Sequence, residues 1–587
     1  MGQSGRRVSR RALLRGAGIT LGAVALGGPV GARGLVGGVS GAVGGATGVS
    51  HAVAAGDVLR LARVWPGGLE GAALLAGFDD THRMFDDGSV EVLLWPGDLE
   101  RLVASGLRFD VTVEDVIARD VGALQATDAQ VGAPTGRLPG QRDTYRTLRD
   151  YEDDLLGLVT RFPLQARLIV LPERTLEGRR VVGIEIADDV HLRDGRPVWY
   201  MDGLHHAREW PAGELTLMFG FELLENPQGD ERVTALRRDT RTILVPVVNP
   251  DGFSWSRDAL VQTSDPTVSL PFAALGLEAY WRKNRRGVLD EAVIDRFERN
   301  LTSYGVDPNR NYSVRWGGPG ASPVPVDQTH RGAGPFSEPE VRNVAGLLRE
   351  RQPVTLNSNH TYTGLVLRPW GHAGGGLQYS PDEPLLRDLG AAMCAHNGYN
   401  NWHGIELYAT TGTTSDWAYA ALGSLSYTYE IGFTNFHPPY GGEDGPLHHY
   451  RLNRESFLLL GEAARLTAVE LTDPRGAPVL HATHGIVSGR VVDGGGNPVA
   501  ADLAVARTAR VPLGDGTLYP EPSRATMATP ADGAFAWHLP PSTTPMARER
   551  GEEEAWTLTV AAGGRSVTRQ VRLDRGQTAD LGEIRLT

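Results

Sequence analysis

The sequence predicts an α/β protein in which a mixed, mostly parallel sheet is sandwiched by helices, preceded by a small α+β unit and followed by an all-β sandwich. Three observations carry this reading. Between Thr144 and Glu470, nearly continuous apolar runs such as Thr242–Val248 alternate with segments at helical spacing, the pattern of strands buried on both faces and covered by helices. From Asp57 to Asp120, shorter strand and helix patterns alternate. From His484 onward, short β-patterned runs are divided by Gly, Pro and Asp turns without helical periodicity. At 587 residues the chain is too long for one core. It divides into 1–55, 56–120, 121–141, 142–472 and 483–587.

The first segment stands apart from the fold. Ser9-Arg10-Arg11 precedes an apolar, Gly/Ala-rich run to about Val30, which resembles a twin-arginine export signal. Cleavage after Ala25 and after Ala54 both stay open. The run is short and glycine-interrupted for a stable membrane span, and no other segment has the ~20 apolar residues a spanning helix needs. The expectation is an exported, soluble mature protein with no stable membrane span.

In the second segment, strands are expected at Val58–Trp65, Val90–Trp95 and Phe109–Val113, with helices at Leu69–Phe78 and Asp98–Ser105. Gly122–Gly140, rich in Gly, Pro, Ala and Gln, reads as an exposed linker. A small domain on such a tether has the form of a removable pro-region; an ordinary structural domain is the alternative. The net charge of −12 argues against a nucleic-acid partner. The single cysteine, Cys394, precludes an intrachain disulfide and falls in an amphipathic segment, Leu386–His396, as a buried thiol.

In the large segment, Tyr145–Thr160 has helical periodicity, and Leu168–Leu171 and Val181–Ile186 read as strands. The run Val198–Met201 leads into His205 and His206, and Glu209 follows His206 by three. Pro211 then opens a helix with Leu215, Met218, Phe219 and Leu223 on its apolar positions. A strand running into a helix puts His206 and Glu209 together at a sheet end, where function concentrates. A metal could take one ligand from each, and imidazole and carboxylate both suit zinc. Val354–His360 and Leu425–Glu430 are further strands, with Glu338–Arg351 helical. Alternation puts Ser426, Thr428 and Glu430 on one face, and a carboxylate ending a buried strand needs a partner or a task. Arg310 stands in a turn-rich run, Asp307–Tyr312. In the tail, strands are expected at Ile486–Val492, Leu503–Ala506, Ala534–Leu539, Trp556–Ala561 and Val567–Leu573. His481, His484 and His538 show no ligand spacing there and read as structural.

Seven stretches occur in an order that resembles the zinc carboxypeptidases of the carboxypeptidase A type. They are Gly203–Trp210, Asn249–Phe253, Trp281–Lys283, Asp307–Tyr312, His360–Tyr362, Tyr408 with Asp416-Trp417, and Glu430. The resemblance spans roughly Thr144–Glu470 and implies the fold of that family. It also implies one catalytic Zn2+ held by His206, Glu209 and His360, with a fourth position left for water. Asp307 matches the residue that orients the first histidine, and His205 is left either a role supporting the ligands from behind or a packing one. Glu430 matches the general base and Arg282 the group that polarises the scissile carbonyl. Asn309, Arg310 and Tyr408 match the residues that grip a terminal carboxylate, a task suited to a planar, permanently charged guanidinium.

Thr410, Thr413 and Ser415 fall along the implied pocket for the terminal side chain, and Thr428 on its floor. None is charged, and relatives that cut after Lys or Arg often carry an acid where Ser415 stands. The expected substrates are peptides or proteins with a free C-terminal carboxylate and an uncharged, apolar or aromatic last residue. Such relatives also carry pro-regions, and some a C-terminal transthyretin-like β domain. Two departures stand out: Asp258–Tyr280 and Gly287–Gly305 read as insertions, and Thr361 replaces a common serine. The alternatives are the same chemistry on cell-wall or other non-protein peptides, and a non-catalytic scaffold.

Overall fold

The computed structural model describes residues 58–67, 77–120, 144–258, 277–287, 304–372 and 378–587, with Gly71, Leu74 and Leu75. The export-signal segment, the linker and most of both insertions lie outside the described residues. The N-terminal unit is an antiparallel sheet of β1 (Arg60–Trp65), β2 (Asp79–Met84), β3 (Val90–Leu94) and β4 (Arg108–Val113), with α1 (Asp98–Ser105) between the last two. Its order is β2-β3-β1-β4. Alternation gives this sheet two working faces. Ala62, Val64, Val92 and Leu94 pack with Leu102 into a small core of their own. Leu61 and Leu93 join the main core instead. The expected helix at Leu69–Phe78 lies only partly within the described residues. Strand β2 is an addition to the expected set: its sequence, Asp-Asp-Thr-His-Arg-Met, has no apolar alternation to reveal it.

The large unit holds an eight-stranded mixed sheet. Helix α2 (Leu148–Arg161) precedes β5 (Ala166–Arg174), β6 (Arg180–Ile186) and β7 (Val198–Gly203). Then come α3 (Trp210–Glu225), α4 (Glu231–Asp239), β8 (Arg241–Val245), α5 (Pro339–Arg351), β9 (Thr355–His360) and β10 (Leu365–Arg368). Helix α6 (Glu383–Asn397), β11 (Asn400–His403), β12 (Leu425–Glu430) and α7 (Pro446–Arg465) complete it. The strand order is β11-β10-β12-β9-β7-β8-β6-β5. The four central strands, β12, β9, β7 and β8, are mutually parallel. Antiparallel pairs flank them, so the sheet is mixed with a parallel centre, and helices flank it.

Parallel strands buried on both faces need apolar side chains throughout, and β7 and β8 are buried at every residue. Helix α3 packs on β7, β8 and β9, and α7 packs on α3. Cys394 is buried on α6, its thiol pushed up to about 12 by burial. Among the described residues no helix is long and apolar enough to cross a membrane.

A hairpin, β13 (Ala468–Thr472) with β14 (Pro478–Ala482), leads to the C-terminal unit. There β15 (Gly485–Val492), β16 (Asp502–Pro512), β17 (Leu518–Ala528), β18 (Ala534–Leu539), β19 (Trp556–Ala562), β20 (Arg565–Val571) and β21 (Thr578–Arg585) form two sheets. Val487, Leu503, Val505, Trp537, Trp556 and Leu558 fill the space between them. The unit is not helix-free, because Pro545–Glu549 forms a short helix capped by Thr544. His484 and His538 pair side chain to side chain at 2.8 Å.

Candidate metal centre and active-site cleft

Register brings the chemistry to one edge. Gly203 of β7 lies beside Asn359 of β9, and His360 lies beside Glu430 of β12. All three strands run the same way, so their carboxyl ends meet. Beyond β7 the chain turns through Leu204, whose φ is 56°, and presents His205 and His206 before α3 begins. Asn249 stitches this turn to the Arg282 stretch, donating from Nδ2 to the carbonyls of His205 (3.2 Å) and Lys283 (3.1 Å). The Ala207 N–H donates to the Arg282 carbonyl at 2.9 Å.

The His206 Nδ1 lies 2.7 Å from Glu209 Oε1. The His360 Nδ1 lies 2.8 Å from Glu209 Oε2 and 3.1 Å from His206 Nδ1. Ligand atoms of the three residues fall within 4.8 Å of one another, and all three residues are buried. The outer ring nitrogens are engaged elsewhere: His206 Nε2 with Asp307 Oδ1 at 3.1 Å, and His360 Nε2 with Asn309 Nδ2 and Ser358 Oγ, each at 3.3 Å. Two imidazole nitrogens facing each other and a carboxylate, all withdrawn from water, form a donor set suited to a divalent cation. The three residues therefore fit zinc.

Asp307 caps the single turn Pro308–Arg310, accepting the Asn309 N–H at 2.8 Å. Its other oxygen accepts from Arg282 Nε (3.1 Å) and Nη2 (2.9 Å). Burial raises the Asp307 carboxyl, but Arg282, His206 and Arg310 outweigh it and hold it well below the usual range. One carboxylate thus fixes both a histidine and an arginine. The free end of Arg282, Nη1, stands 4.0 Å from Glu209 Oε1.

Glu430 is 4% exposed, and its Oε2 has no hydrogen-bond partner among the described residues. Burial and the nearby Glu209 charge push its carboxyl well up, against the pull of Arg282 and Arg310. Arg310 donates from Nη2 to Tyr408 OH at 3.1 Å, from Nε to the Gly320 carbonyl at 2.8 Å and from Nη1 to the Asn309 carbonyl at 2.9 Å. Asn309, Arg310, Tyr408, Ser415, Thr428 and Glu430 line one cleft, with Thr410 and Thr413. Ser415 and Thr428 hydroxyls meet at 2.6 Å. His205 stays behind the ligand group, bonded to Thr414 Oγ1 at 2.8 Å and stacked on His360.

Sequence reasoning missed part of the lining. Leu367, Arg368, Pro369, Gly371, Leu407 and Asp416 also face the cleft. Arg368 is spent on Glu383 and Asn401. Asp416 accepts the Gly371 N–H at 2.9 Å, and burial pushes its carboxyl up to about 7. The signal for these residues was weak, since β10 is a four-residue strand; Asp416 alone stood in a recognised stretch.

The N-terminal unit closes over the same edge. Arg208, fully buried, sets Nη1 and Nη2 on the Asp79 carboxylate at 2.5 and 2.7 Å. Trp95 Nε1 donates to the same carboxylate at 2.9 Å. Tyr362 OH donates to Glu91 Oε1 at 2.9 Å, and Tyr280 OH donates to Asp120.

The family model for zinc carboxypeptidases matches residues 151–442. Human carboxypeptidase O is 30% identical over 349 residues, 57% of this chain and 80% of its own length. This chain belongs to the zinc carboxypeptidase family. It is accordingly a zinc-dependent exopeptidase hydrolase. Carboxypeptidase B of Helicoverpa zea is 26% identical over 365 residues, 58% of this carboxypeptidase and 77% of its own chain. The crystal structure of carboxypeptidase A from Helicoverpa armigera shares the fold, with a TM-score of 0.54 at 22% identity, over 70% of this chain and 98% of that one.

Proposed function

We propose that this carboxypeptidase is made as an exported precursor and hydrolyses the last peptide bond of peptides and proteins with a free C-terminal carboxylate. The reading divides the chain into an export signal (1–55), a pro-region (56–120), a linker, a catalytic unit (142–472) and a transthyretin-like β unit (483–587). One observation carries the functional part: the cleft lined by Arg310, Tyr408 and Glu430 adjoins the His206, Glu209 and His360 group, since Glu430 lies beside His360 in strand register and the cleft-lining Asn309 meets the His360 ring at 3.3 Å.

His206, Glu209 and His360 hold zinc, and Asp307 keeps His206 oriented. Bound there, zinc supplies Lewis acidity, which acidifies water and polarises a carbonyl. Arg310, Asn309 and Tyr408 hold the substrate carboxylate and so fix which bond lies over the site. Glu430 takes a proton from water as its oxygen bonds to the scissile carbon. Arg282 Nη1 donates to the carbonyl oxygen as negative charge develops there. Glu430 then returns the proton to the leaving nitrogen as the C–N bond breaks.

The hydroxyls of Thr410, Thr413, Ser415 and Thr428 carry no charge to pair with a cationic terminal residue, and Asp416, which also lines the cleft, is engaged by the Gly371 N–H. The pocket is therefore assigned to uncharged, apolar or aromatic terminal residues. Incubating a peptide mixture with the purified mature enzyme, with and without a chelator, tests the whole reading by mass spectrometry. Loss of single C-terminal residues, abolished by the chelator, is expected. Internal cleavage, or turnover that survives chelation, overturns it. Side-by-side C-terminal Phe, Leu, Lys and Arg substrates test the pocket, where a strong Lys/Arg preference refutes the side-chain assignment.

A further inference from the structure

The family match ends at residue 442, yet the C-terminal unit touches the chain next to three of the stretches that line the carboxylate cleft. Arg310 lies on a stretch that returns at Gly320, whose carbonyl it holds. Behind that stretch sits the β16–β17 hairpin. The Arg315 N–H donates to the Pro512 carbonyl at 2.7 Å, and the Gly514 N–H to the Trp316 carbonyl at 2.8 Å. A Cβ at Gly514 would stand 2.4 Å from the Gly318 nitrogen, so the two backbones are in direct contact. Glu521 on β17 is 1% exposed. It accepts from Ser313 Oγ and, at 2.6 Å, from Arg349 Nη2.

Two other lining stretches are held likewise. Arg507 reaches across to the Leu422 carbonyl at 2.6 Å, just beyond the turn that carries Ser415 and Asp416. Glu549 accepts the Trp370 indole N–H at 3.1 Å, next to the cleft-lining Gly371. No residue of the C-terminal unit itself lines the cleft.

We infer that the C-terminal β unit sets substrate affinity by holding the carboxylate clamp in shape, with Glu521 as the positioning residue for Arg310. The inference rests on Arg310 being the clamp. A buried carboxylate that accepts from Ser313 on the loop and from Arg349 on α5 ties the loop to that helix better than packing alone. Substrate anchoring therefore depends on it, while the metal group, carried by β7 and β9, does not.

The test uses the full chain, folded whole and then cut within 121–141, with a peptide ending in phenylalanine, and free phenylalanine as a competing product. Glu521→Ala is expected to raise KM and the inhibition constant of phenylalanine by about tenfold, with kcat within about twofold, as loss of a charged buried hydrogen bond predicts. Zinc content stays that of the wild type. Ser313→Ala, which removes the same bond from the catalytic side with little risk to folding, moves both constants the same way. In an Arg310→Ala background, Glu521→Ala adds less than about twofold, because the clamp is already lost. If Arg310→Ala leaves KM unchanged, the clamp assignment itself is wrong. If Arg310→Ala raises KM but neither Glu521→Ala nor Ser313→Ala does, or if their effects multiply with that of Arg310→Ala, the clamp stands and the positioning role is refuted.

Discussion

Glu430 ends a strand with one oxygen lacking any partner among the described residues, an arrangement that costs stability unless the group works. The proposed proton-carrier role predicts that Glu430→Gln lowers kcat by roughly 10²- to 10⁴-fold while zinc stoichiometry is unchanged. His360→Ala, by contrast, is expected to lose both activity and metal. Metal analysis alongside turnover separates the two, and a Glu430→Gln enzyme of near wild-type kcat would remove Glu430 from the mechanism. These residues were legible because each sits in a short stretch whose residue types are dictated by chemistry. The cleft lining was not, because it is assembled by contact. Leu367 and Leu407 read as ordinary apolar residues until β10 and the segment after β11 are placed side by side, and Glu521 belongs to a separate unit altogether.

At the scale of elements, the site depends on how closely β7 meets α3. Gly203 has no side chain to hold them apart: a Cβ there would stand 2.7 Å from the Ala212 carbonyl oxygen and 3.0 Å from the Gly213 nitrogen. Gly203→Ala is therefore expected to cost about 1–3 kcal/mol as overpacking, and to lower zinc affinity, because the displaced turn carries His206. Thermal denaturation with zinc titration reads both, and unchanged values would show that the turn relaxes freely. Strands β7 and β8 were readable because two-sided burial forces apolar residues on them, whereas β9 is as fully buried with Leu356 as its one apolar residue, Ser358 and His360 being turned to the site. Strand β2 escaped because its buried residues are Asp79 and Thr81, placed to meet Arg208 and Glu91 rather than a core. Helix α7 escaped because His448, His449, Arg451 and Arg454 break up the apolar spacing of its first turns.

Across the whole molecule, charge clusters tie distant segments and set the acid limit of the fold. Burial raises the Glu185 carboxyl, but Arg351, Arg241 and Arg167 outweigh it and bring it to about 2, below the ordinary 4.5. A carboxyl whose folded value is depressed stabilises the fold above its unfolded value and loses that contribution as pH falls toward the folded one. The shift corresponds to about 3 kcal/mol. Glu185→Gln is expected to flatten the dependence of unfolding free energy on pH between those two values, and an unchanged slope would place acid sensitivity elsewhere.

Another such tie joins the N-terminal unit to the catalytic edge. Arg208 lies between His206 and Glu209 in sequence and has no exposure while Asp79 is docked. Arg282 and Arg310 are buried too, at 2% and 1% exposure. A desolvated ion pair holds firmly because losing one partner strands the other, at about 3–5 kcal/mol. Cutting an engineered protease site within 121–141 is expected to raise peptide turnover sharply once the unit dissociates. Asp79→Ala is expected to raise turnover of the uncut chain at least about tenfold, since each 1.4 kcal/mol taken from docking is tenfold in the open population. Equal rates for the uncut chain, the cut chain and Asp79→Ala would mean that the unit leaves the cleft accessible, and that Asp79 and Arg208 bind the two units together without controlling access.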